Sequence, residues 1–148
     1  MNLNTRALNP GWGLAVIRIV TGILFFVHGL QKLTEFGFGG FAGFLSQLGI
    51  PAASAAAVIV ILVDLMGGLA LILGIGTRFV AIPLAIDMLV ALLTVHLPAG
   101  FFVQNGGYEF VLLLLAANLA LLLGGSGAFA LDNLFGRTAG RARQPEVT

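Results

Sequence analysis

The sequence predicts an all-α membrane protein, a polytopic bundle of four transmembrane helices with a short amphipathic or re-entrant helix between the first and second spans. Of its 148 residues, 59% are hydrophobic and only 9% are charged, whereas soluble domains carry about 25% charged residues. The chain also contains four apolar stretches, each near the roughly 20 residues that a helix needs to cross a bilayer. These stretches nearly use up the chain, so little remains for a separate soluble catalytic domain.

The four predicted spans follow the apolar stretches and end at turn signals. Glycine-rich segments such as Asn105-Gly106-Gly107 separate them and are typical of turns. The first span is longer than the core of a signal peptide and has no convincing cleavage site, so we expect an uncleaved anchor. The spans lie at about 13–31, 52–74, 78–97 and 108–123.

Residues 33–50 are apolar, but their glycines leave a piece too short to cross the bilayer. Phe41, Phe44, Leu45 and Leu48 lie at positions i, i+3, i+4 and i+7, which places them on one helical face. Such a helix lies in the interface or re-enters the membrane. We therefore divide the chain into a leader at 1–12, a membrane domain at 13–127 and a basic tail at 128–148.

Basic residues are distributed unequally between the two sides of the predicted bundle. Lys32 is alone on one side, and five arginines lie on the other: Arg6, Arg78, Arg137, Arg141 and Arg143. Because cytoplasmic loops carry an excess of Lys and Arg, we predict that both termini are cytoplasmic and that the membrane is the plasma membrane. The dispersed arginines of the tail do not form a nucleic-acid site and are expected to contact anionic lipid head groups.

The chain contains no cysteine, which excludes disulfides, thiol nucleophiles and cysteine-ligated iron–sulfur clusters within it. Any redox role therefore needs a bound small molecule or a partner protein. Two histidines on separate helices, His28 and His96, could ligate a haem iron. No attachment motif accompanies them, and we expect no metal site.

Three ionisable residues lie deep inside the predicted spans, well away from their ends, namely Arg18, Asp64 and Asp87. At a rise of about 1.5 Å per residue, they fall within one or two helical turns of each other in depth. Charged groups in a membrane usually face the bundle interior and pair there. We therefore predict an ion pair of Arg18 with Asp64 or Asp87. Because one arginine would face two acids, this set is either a structural ion pair or a proton or ligand site.

A second polar set lies toward the outer ends of the spans and comprises His28, Lys32, His96 and Glu109. One interpretation is interfacial snorkelling and helix capping. The other is a site for the polar head of a quinone-like molecule, in which the histidines donate hydrogen bonds or protons. Six phenylalanines either wall an apolar pocket beside this set or anchor the helices at the interface: Phe36, Phe38, Phe41, Phe44, Phe101 and Phe102.

Short motifs connect these residues in a definite order: Arg18 before Gly22, His28-Gly29-x-x-Lys32, Leu48-Gly49-Ile50-Pro51, Asp64-x-x-Gly67-Gly68, Thr77-Arg78, His96 before Gly100-Phe101-Phe102, Gly107 before Glu109, Gly125-x-Gly127 and Leu131-Asp132. With these motifs, residues 12–133 resemble the DoxX family of small bacterial and archaeal membrane proteins. Asp64 departs from the family, whose members more often carry glutamate there. Asp87 is a second departure, at a position that is more often neutral.

The resemblance implies a four-helix membrane domain with a role in redox chemistry. The family is named after a subunit of an archaeal thiosulfate:quinone oxidoreductase, and some relatives are linked to membrane complexes that handle oxidative stress. On this basis we expect a non-autonomous membrane subunit of a quinone-linked redox or oxidative-stress system, with a non-covalently bound quinone and a partner redox protein. Two alternatives remain. One is a small proton-coupled transporter or channel, which would need a homo-oligomer to form a pathway; the other is a scaffold or chaperone for other proteins.

Overall fold

The computed structural model describes residues 10–134, which are helical apart from short connections. Three segments in this range are long and apolar enough to cross a membrane, at Gly11–Gln47, Ala53–Leu73 and Thr77–Ala99, and a shorter apolar helix follows. The predicted fold class, a membrane bundle of four helices, is confirmed. The α-helices are α1 (Pro10–Gln31), α2 (Gly37–Gln47), α3 (Ala53–Leu73), α4 (Thr77–Ala91) and α5 (Glu109–Gly124).

Irregular helical turns extend two of these helices. A π-helical turn at Lys32–Phe36 joins α1 to α2, and a second one at Leu92–His96 continues α4. The connection from α4 to α5 contains 3-10 turns at Leu97–Ala99 and Val103–Asn105. Helix α4 together with its π-helical turn, and α1, α3 and α5 by themselves, begin and end within about three residues of the predicted span boundaries.

Each membrane helix packs against two others: α1 and α4 both contact α3 and α5. The backbone N–H of Ala128 donates to the carbonyl of Gly11 at 2.8 Å, so the two ends of the described chain meet. We call this side of the bundle the terminal end. The opposite side, where α1 leads into α2 and α4 leads toward α5, is the distal end.

Apolar side chains fill the space between the four long helices. The buried core includes Phe25, Leu71, Leu84, Leu114 and Leu121, which come from all four of them. Large apolar side chains also cover the outer faces of the bundle. Because these faces lie on helices that can cross a membrane, lipid is the environment that suits them.

Glycines let α1 and α3 approach unusually closely. A Cβ atom on Gly22 would lie 2.7 Å from the carbonyl oxygen of Gly68, and one on Gly68 would lie 2.5 Å from the backbone nitrogen of Phe26. Toward the distal end, Gly29 meets Asp64 and Leu65 in the same way. Small residues at such contacts allow the backbones to pack directly, which is a common way to hold membrane helices together.

The amphipathic insert is confirmed as a helix, α2, between the first and second spans. Gly37, with a φ of 66°, interrupts the helical backbone between the π-helical turn and α2. Helix α2 packs against α3, where Phe41 is buried with Ala57 and Ile61. Phe41 and Leu45 of its apolar face therefore pack against another helix of the same bundle, whereas Phe44 is exposed.

The segment after α5 folds back onto the terminal end. The backbone N–H groups of Leu131 and Asp132 donate to the carbonyls of Leu73 and Gly74 at 3.2 and 2.9 Å. The carboxylate of Asp132 accepts hydrogen bonds from the N–H groups of Gly76 and Thr77 at 2.7 and 3.2 Å, and so caps α4. Residues 128–134, which the sequence analysis places in the tail, are thus part of the bundle. The three arginines of the tail, Arg137, Arg141 and Arg143, lie outside the described residues, as does Arg6.

Candidate ligand-binding site

Arg18 does not pair with either intramembrane aspartate. Its side chain is buried, and its five N–H groups donate to five backbone carbonyls at 2.5–3.2 Å. The carbonyls belong to Leu71, Ile72, Ser126, Ala128 and Phe129. The predicted ion pair of Arg18 with Asp64 or Asp87 is therefore wrong.

The physical reason lies in the length of the arginine side chain. The prediction compared the depths of Cα atoms, but the guanidinium group of Arg18 extends toward the terminal end of the bundle. There it meets the carbonyls of Leu71 and Ile72 in the last turn of α3, where the negative end of the helix dipole favours a cation. Arg18 thus stabilises the terminal end of the bundle.

Asp64 instead pairs with Lys32, a residue that the sequence analysis assigned to the other polar set. Lys32 Nζ donates to Asp64 Oδ2, and the Asp64 side chain is only 1% exposed. Lys32 begins the π-helical turn after α1. It reaches Asp64 because Gly29, one turn earlier, brings α3 close to α1. The Lys32 ammonium also lies 5.4 Å from the centre of the Phe41 ring.

Asp87 approaches the same place from α4. Its carboxyl group lies close to that of Asp64. Asp64 Oδ1 and Asp87 Oδ2 are buried and have no donor from the described part of the protein. Because two carboxylate oxygens can bond to each other only through a proton, a single proton held between them would complete this contact. With Lys32, the three side chains would then carry no net charge.

A cavity of about 690 Å³ opens beside these three residues, which all line it. It is mostly apolar and takes its lining from all five α-helices. Its aromatic walls include Phe25, Phe36, Phe41, Phe44 and Phe110, and its other polar lining residues include His28, Gln31, Thr94 and His96. The structure therefore gathers five residues of the two predicted polar sets into one site: His28, Lys32, Asp64, Asp87 and His96.

Glu109, Phe38, Phe101 and Phe102 are not among the residues that line the cavity. Glu109 starts α5, and its carboxylate accepts a hydrogen bond from the Val103 N–H at 2.6 Å, which links the start of α5 to the 3-10 turn at Val103–Asn105. Phe101 contacts the rings of Phe102 and Tyr108 edge to face, with 5.4 Å between ring centres in each pair. These residues shape the connection between α4 and α5.

The sequence analysis missed the capping role of Asp132 and two polar residues of the cavity, Gln31 and Thr94. A helical pattern could have indicated Thr94, because Asp87, Val90, Ala91 and Thr94 lie at i, i+3, i+4 and i+7 and all line the cavity. Gln31 likewise follows His28 by three residues. An apolar cavity with a few polar groups at one place is typical of sites that bind small molecules.

Comparison with known proteins identifies the family of the chain. The family model of DoxX matches residues 13–97. The "Putative oxidoreductase CatD" of Bacillus subtilis (strain 168) is 38% identical over 120 residues, which cover 81% of this chain and 84% of the relative. An uncharacterized membrane protein of Mycobacterium tuberculosis is 32% identical over 136 residues, covering 83% and 81% of the two chains.

An uncharacterized protein of Haemophilus influenzae is 36% identical over 126 residues, which cover 82% of this chain and 90% of the relative. No solved structure gives a significant match. The family match spans more than half of the chain, and the relatives align with most of their own length. The chain belongs to the DoxX family of membrane proteins.

Proposed function

We propose that this protein is the membrane subunit of a quinone-linked redox or oxidative-stress system, and that its cavity binds the quinone head. The observation that carries the proposal is the Lys32–Asp64–Asp87 cluster on the wall of a largely apolar cavity of about 690 Å³. A planar ring with oxygen atoms at its edge matches such a site, since aromatic walls pack against the ring and a few polar groups orient it. The relative in Bacillus subtilis is named "Putative oxidoreductase CatD", which supports the redox class.

The residues of the cavity have distinct roles in this proposal. Lys32 has further N–H groups besides the one given to Asp64, and these can donate to a ring oxygen. The Asp64–Asp87 pair holds a proton at the cavity wall, and the phenylalanines exclude water. When bound, the quinone would supply the two-electron chemistry that the side chains of this cysteine-free chain cannot. The electrons would come from a partner redox protein, so the subunit is not an enzyme by itself.

The proposal includes an orientation in the plasma membrane with both termini in the cytoplasm. Arg78 lies at the terminal end, in the turn between α3 and α4, and the sequence adds four more arginines near the termini. Lys32 lies toward the distal end. The excess of Lys and Arg on cytoplasmic segments favours this orientation, which puts the cavity in the outer half of the bilayer.

The test is quinone binding by the purified protein. We expect quinone to copurify and to be released by organic extraction. Lys32→Met and Asp64→Asn should weaken rebinding by about tenfold or more, which corresponds to about 1.4 kcal/mol. Glu109→Gln is the matched control, because it changes an acid at the same end of the bundle outside the cavity. Thermal unfolding would verify that each variant is folded. Absence of quinone, or full binding by folded Lys32→Met and Asp64→Asn, would refute the proposal.

A proton-coupled transporter is a second candidate, which the contact between Asp64 and Asp87 favours. Acids inside a membrane commonly belong to proton pathways. In reconstituted vesicles, a proton flux that Asp87→Asn abolishes and Glu109→Gln preserves would favour transport. A flux equal to that of protein-free vesicles would eliminate this candidate.

A further inference from the structure

The cavity extends from the centre of the bundle to its lipid-facing surface. At its inner side it is lined by Asp64 and Leu114, which are both buried. At its outer side it is lined by Ile59 of α3 and Ile86 of α4, whose side chains are 60% and 57% exposed. A single continuous space therefore connects the polar cluster with the outer surface at α3 and α4.

The separation of α3 from α4 begins at a definite level. Toward the terminal end the two helices touch, since Gly67 lets Leu84 come within 3.1 Å of the place where a Cβ atom would be. Toward the distal end, Val63, one turn from Gly67, and Val60, two turns from it, line the cavity together with Val90 of α4. The two helices are thus in contact at Gly67 and Leu84 and enclose open space toward the distal end.

One opening of this space, between α3 and α4, is apolar. We call it the lateral mouth and define it by Ile59, Ile86 and Val90, which are all exposed and all line the cavity. These residues lie on segments that are apolar and long enough to cross a membrane. The surroundings of the lateral mouth are therefore hydrocarbon chains, which a water-soluble molecule would have to cross first.

We propose that the ligand enters sideways from the bilayer, through the lateral mouth, and that it is a lipid-soluble molecule with a long apolar tail. Its head lies at the Lys32–Asp64–Asp87 cluster, and its tail leaves the protein between α3 and α4. This inference rests on the proposed function in taking the head to be a quinone. It adds the tailed substrate class and the access route.

The tail gains little hydrophobic free energy in the mouth, because lipid chains are equally apolar. The tail can occupy the mouth only where there is room for it, so a bulky side chain in the lateral mouth should exclude it. The test compares two benzoquinones with the same dimethoxy-methyl head, one with a decyl chain and one without. Binding of each to the full chain in lipid nanodiscs is measured for the wild type, Ile86→Trp and Leu89→Trp. Leu89 is exposed on α4 and does not line the cavity, which makes it a matched control.

We expect Ile86→Trp to weaken binding of the decyl quinone by about tenfold while the tail-less quinone changes by less than about twofold. Leu89→Trp should affect neither. Equal binding of the decyl quinone by wild type and Ile86→Trp would overturn the lateral route and leave the head site intact. If the wild type binds neither quinone, the proposed function itself fails.

A cysteine variant gives a second measurement that does not require a large side chain. Because the natural chain has no cysteine, Ile86→Cys places a single thiol in the lateral mouth and Leu89→Cys places one beside it. The decyl quinone should slow reaction of a membrane-soluble maleimide at position 86 by several-fold and leave position 89 unchanged. Protection of both positions, or of neither, would contradict the proposed position of the tail.

Discussion

The guanidinium group of Arg18, a residue of α1, links the end of α3 to the segment after α5 at the terminal end. Two of its hydrogen-bond acceptors are the carbonyls of Leu71 and Ile72 in the last turn of α3, and the other three belong to Ser126, Ala128 and Phe129. In a membrane, each unpaired carbonyl costs several kcal/mol, because no water can satisfy it. A planar group with five donors meets this need in a way that no other side chain can.

Replacing Arg18 by lysine should therefore destabilise the bundle although the positive charge is kept. Lysine offers three donors in a different geometry, so at least two charge-assisted hydrogen bonds are lost, each worth about 1.5–3 kcal/mol. Thermal or detergent-induced unfolding should show a loss of roughly 3 kcal/mol or more. Arg78→Lys, at an exposed arginine of the same end, should stay within about 0.5 kcal/mol. An Arg18→Lys protein as stable as the wild type would show that these hydrogen bonds contribute little.

The position of Lys32 directly after α1 determines the acid with which it forms an ion pair. It follows α1 as the first residue of a π-helical turn, and its ammonium group turns toward Asp64 and the Phe41 ring. Removal of the Lys32 charge would leave the buried acids Asp64 and Asp87 without a cation. The pair therefore links the closure of α1 on α3 to the electrostatics of the cavity.

Among the helices, the contact of α1 with α3 is decided by glycine. Gly22 and Gly68 bring two backbones to a separation at which any Cβ atom would overlap with backbone atoms. Such atoms cannot move aside as the end of a side chain can. The same close contact continues to Gly29, where it positions Asp64 beside the end of α1.

Gly22→Ala should separate α1 from α3 and destabilise the bundle by about 1–3 kcal/mol. Gly13→Ala provides the control in the same helix, because nothing lies within 4 Å of a Cβ atom there. That variant should be neutral or up to about 1 kcal/mol more stable, since alanine favours the helix. Unfolding measurements of the two variants in the same detergent would show the difference. Equal stabilities would mean that the helices can shift without cost.

The two π-helical turns contribute side chains to the cavity. Lys32 and Phe36 in the first turn, and Thr94, Val95 and His96 in the second, all line the cavity. A π-helical turn inserts an extra residue and changes the face on which the following side chains lie, and such turns are frequent at functional sites.

In the whole molecule, the four helices form a closed ring of contacts at the terminal end and enclose a cavity toward the distal end. The segment after α5 completes the terminal end through Asp132 and the acceptors of Arg18. One end is thus tied together by hydrogen bonds, and the other leaves space between the helices. Lys32, Asp64 and Asp87 lie between the hydrogen-bonded terminal end and the more open distal end.

The orientation of the whole molecule gives a further prediction. A reporter that is active only outside the cytoplasm should be inactive when fused to the C-terminus. The same reporter inserted after Gln104, in the exposed distal connection, should be active, because four membrane crossings alternate the sides. The reverse pattern would place the cavity in the inner half of the bilayer and overturn the proposed orientation.

The sequence by itself determined the four membrane helices, their approximate ends and the amphipathic helix between the first two. These features depend on local properties, namely the length of apolar stretches, the helical period of residues 41–48 and the glycines at turns. The sequence also identified Lys32, Asp64 and Asp87 as polar residues to be explained. A charge in an apolar stretch is conspicuous whatever its partner.

Only the tertiary structure decided which of these residues meet. Depth along a helix says nothing about rotation around its axis or about the direction of a long side chain, so Arg18 and Lys32 were assigned to the wrong clusters. The close approach of α1 and α3 at Gly29 and the π-helical turn at Lys32 bring that lysine to Asp64. The last carbonyls of α3 attract Arg18 instead. The cavity likewise exists only because helices distant in sequence separate at one level of the bundle.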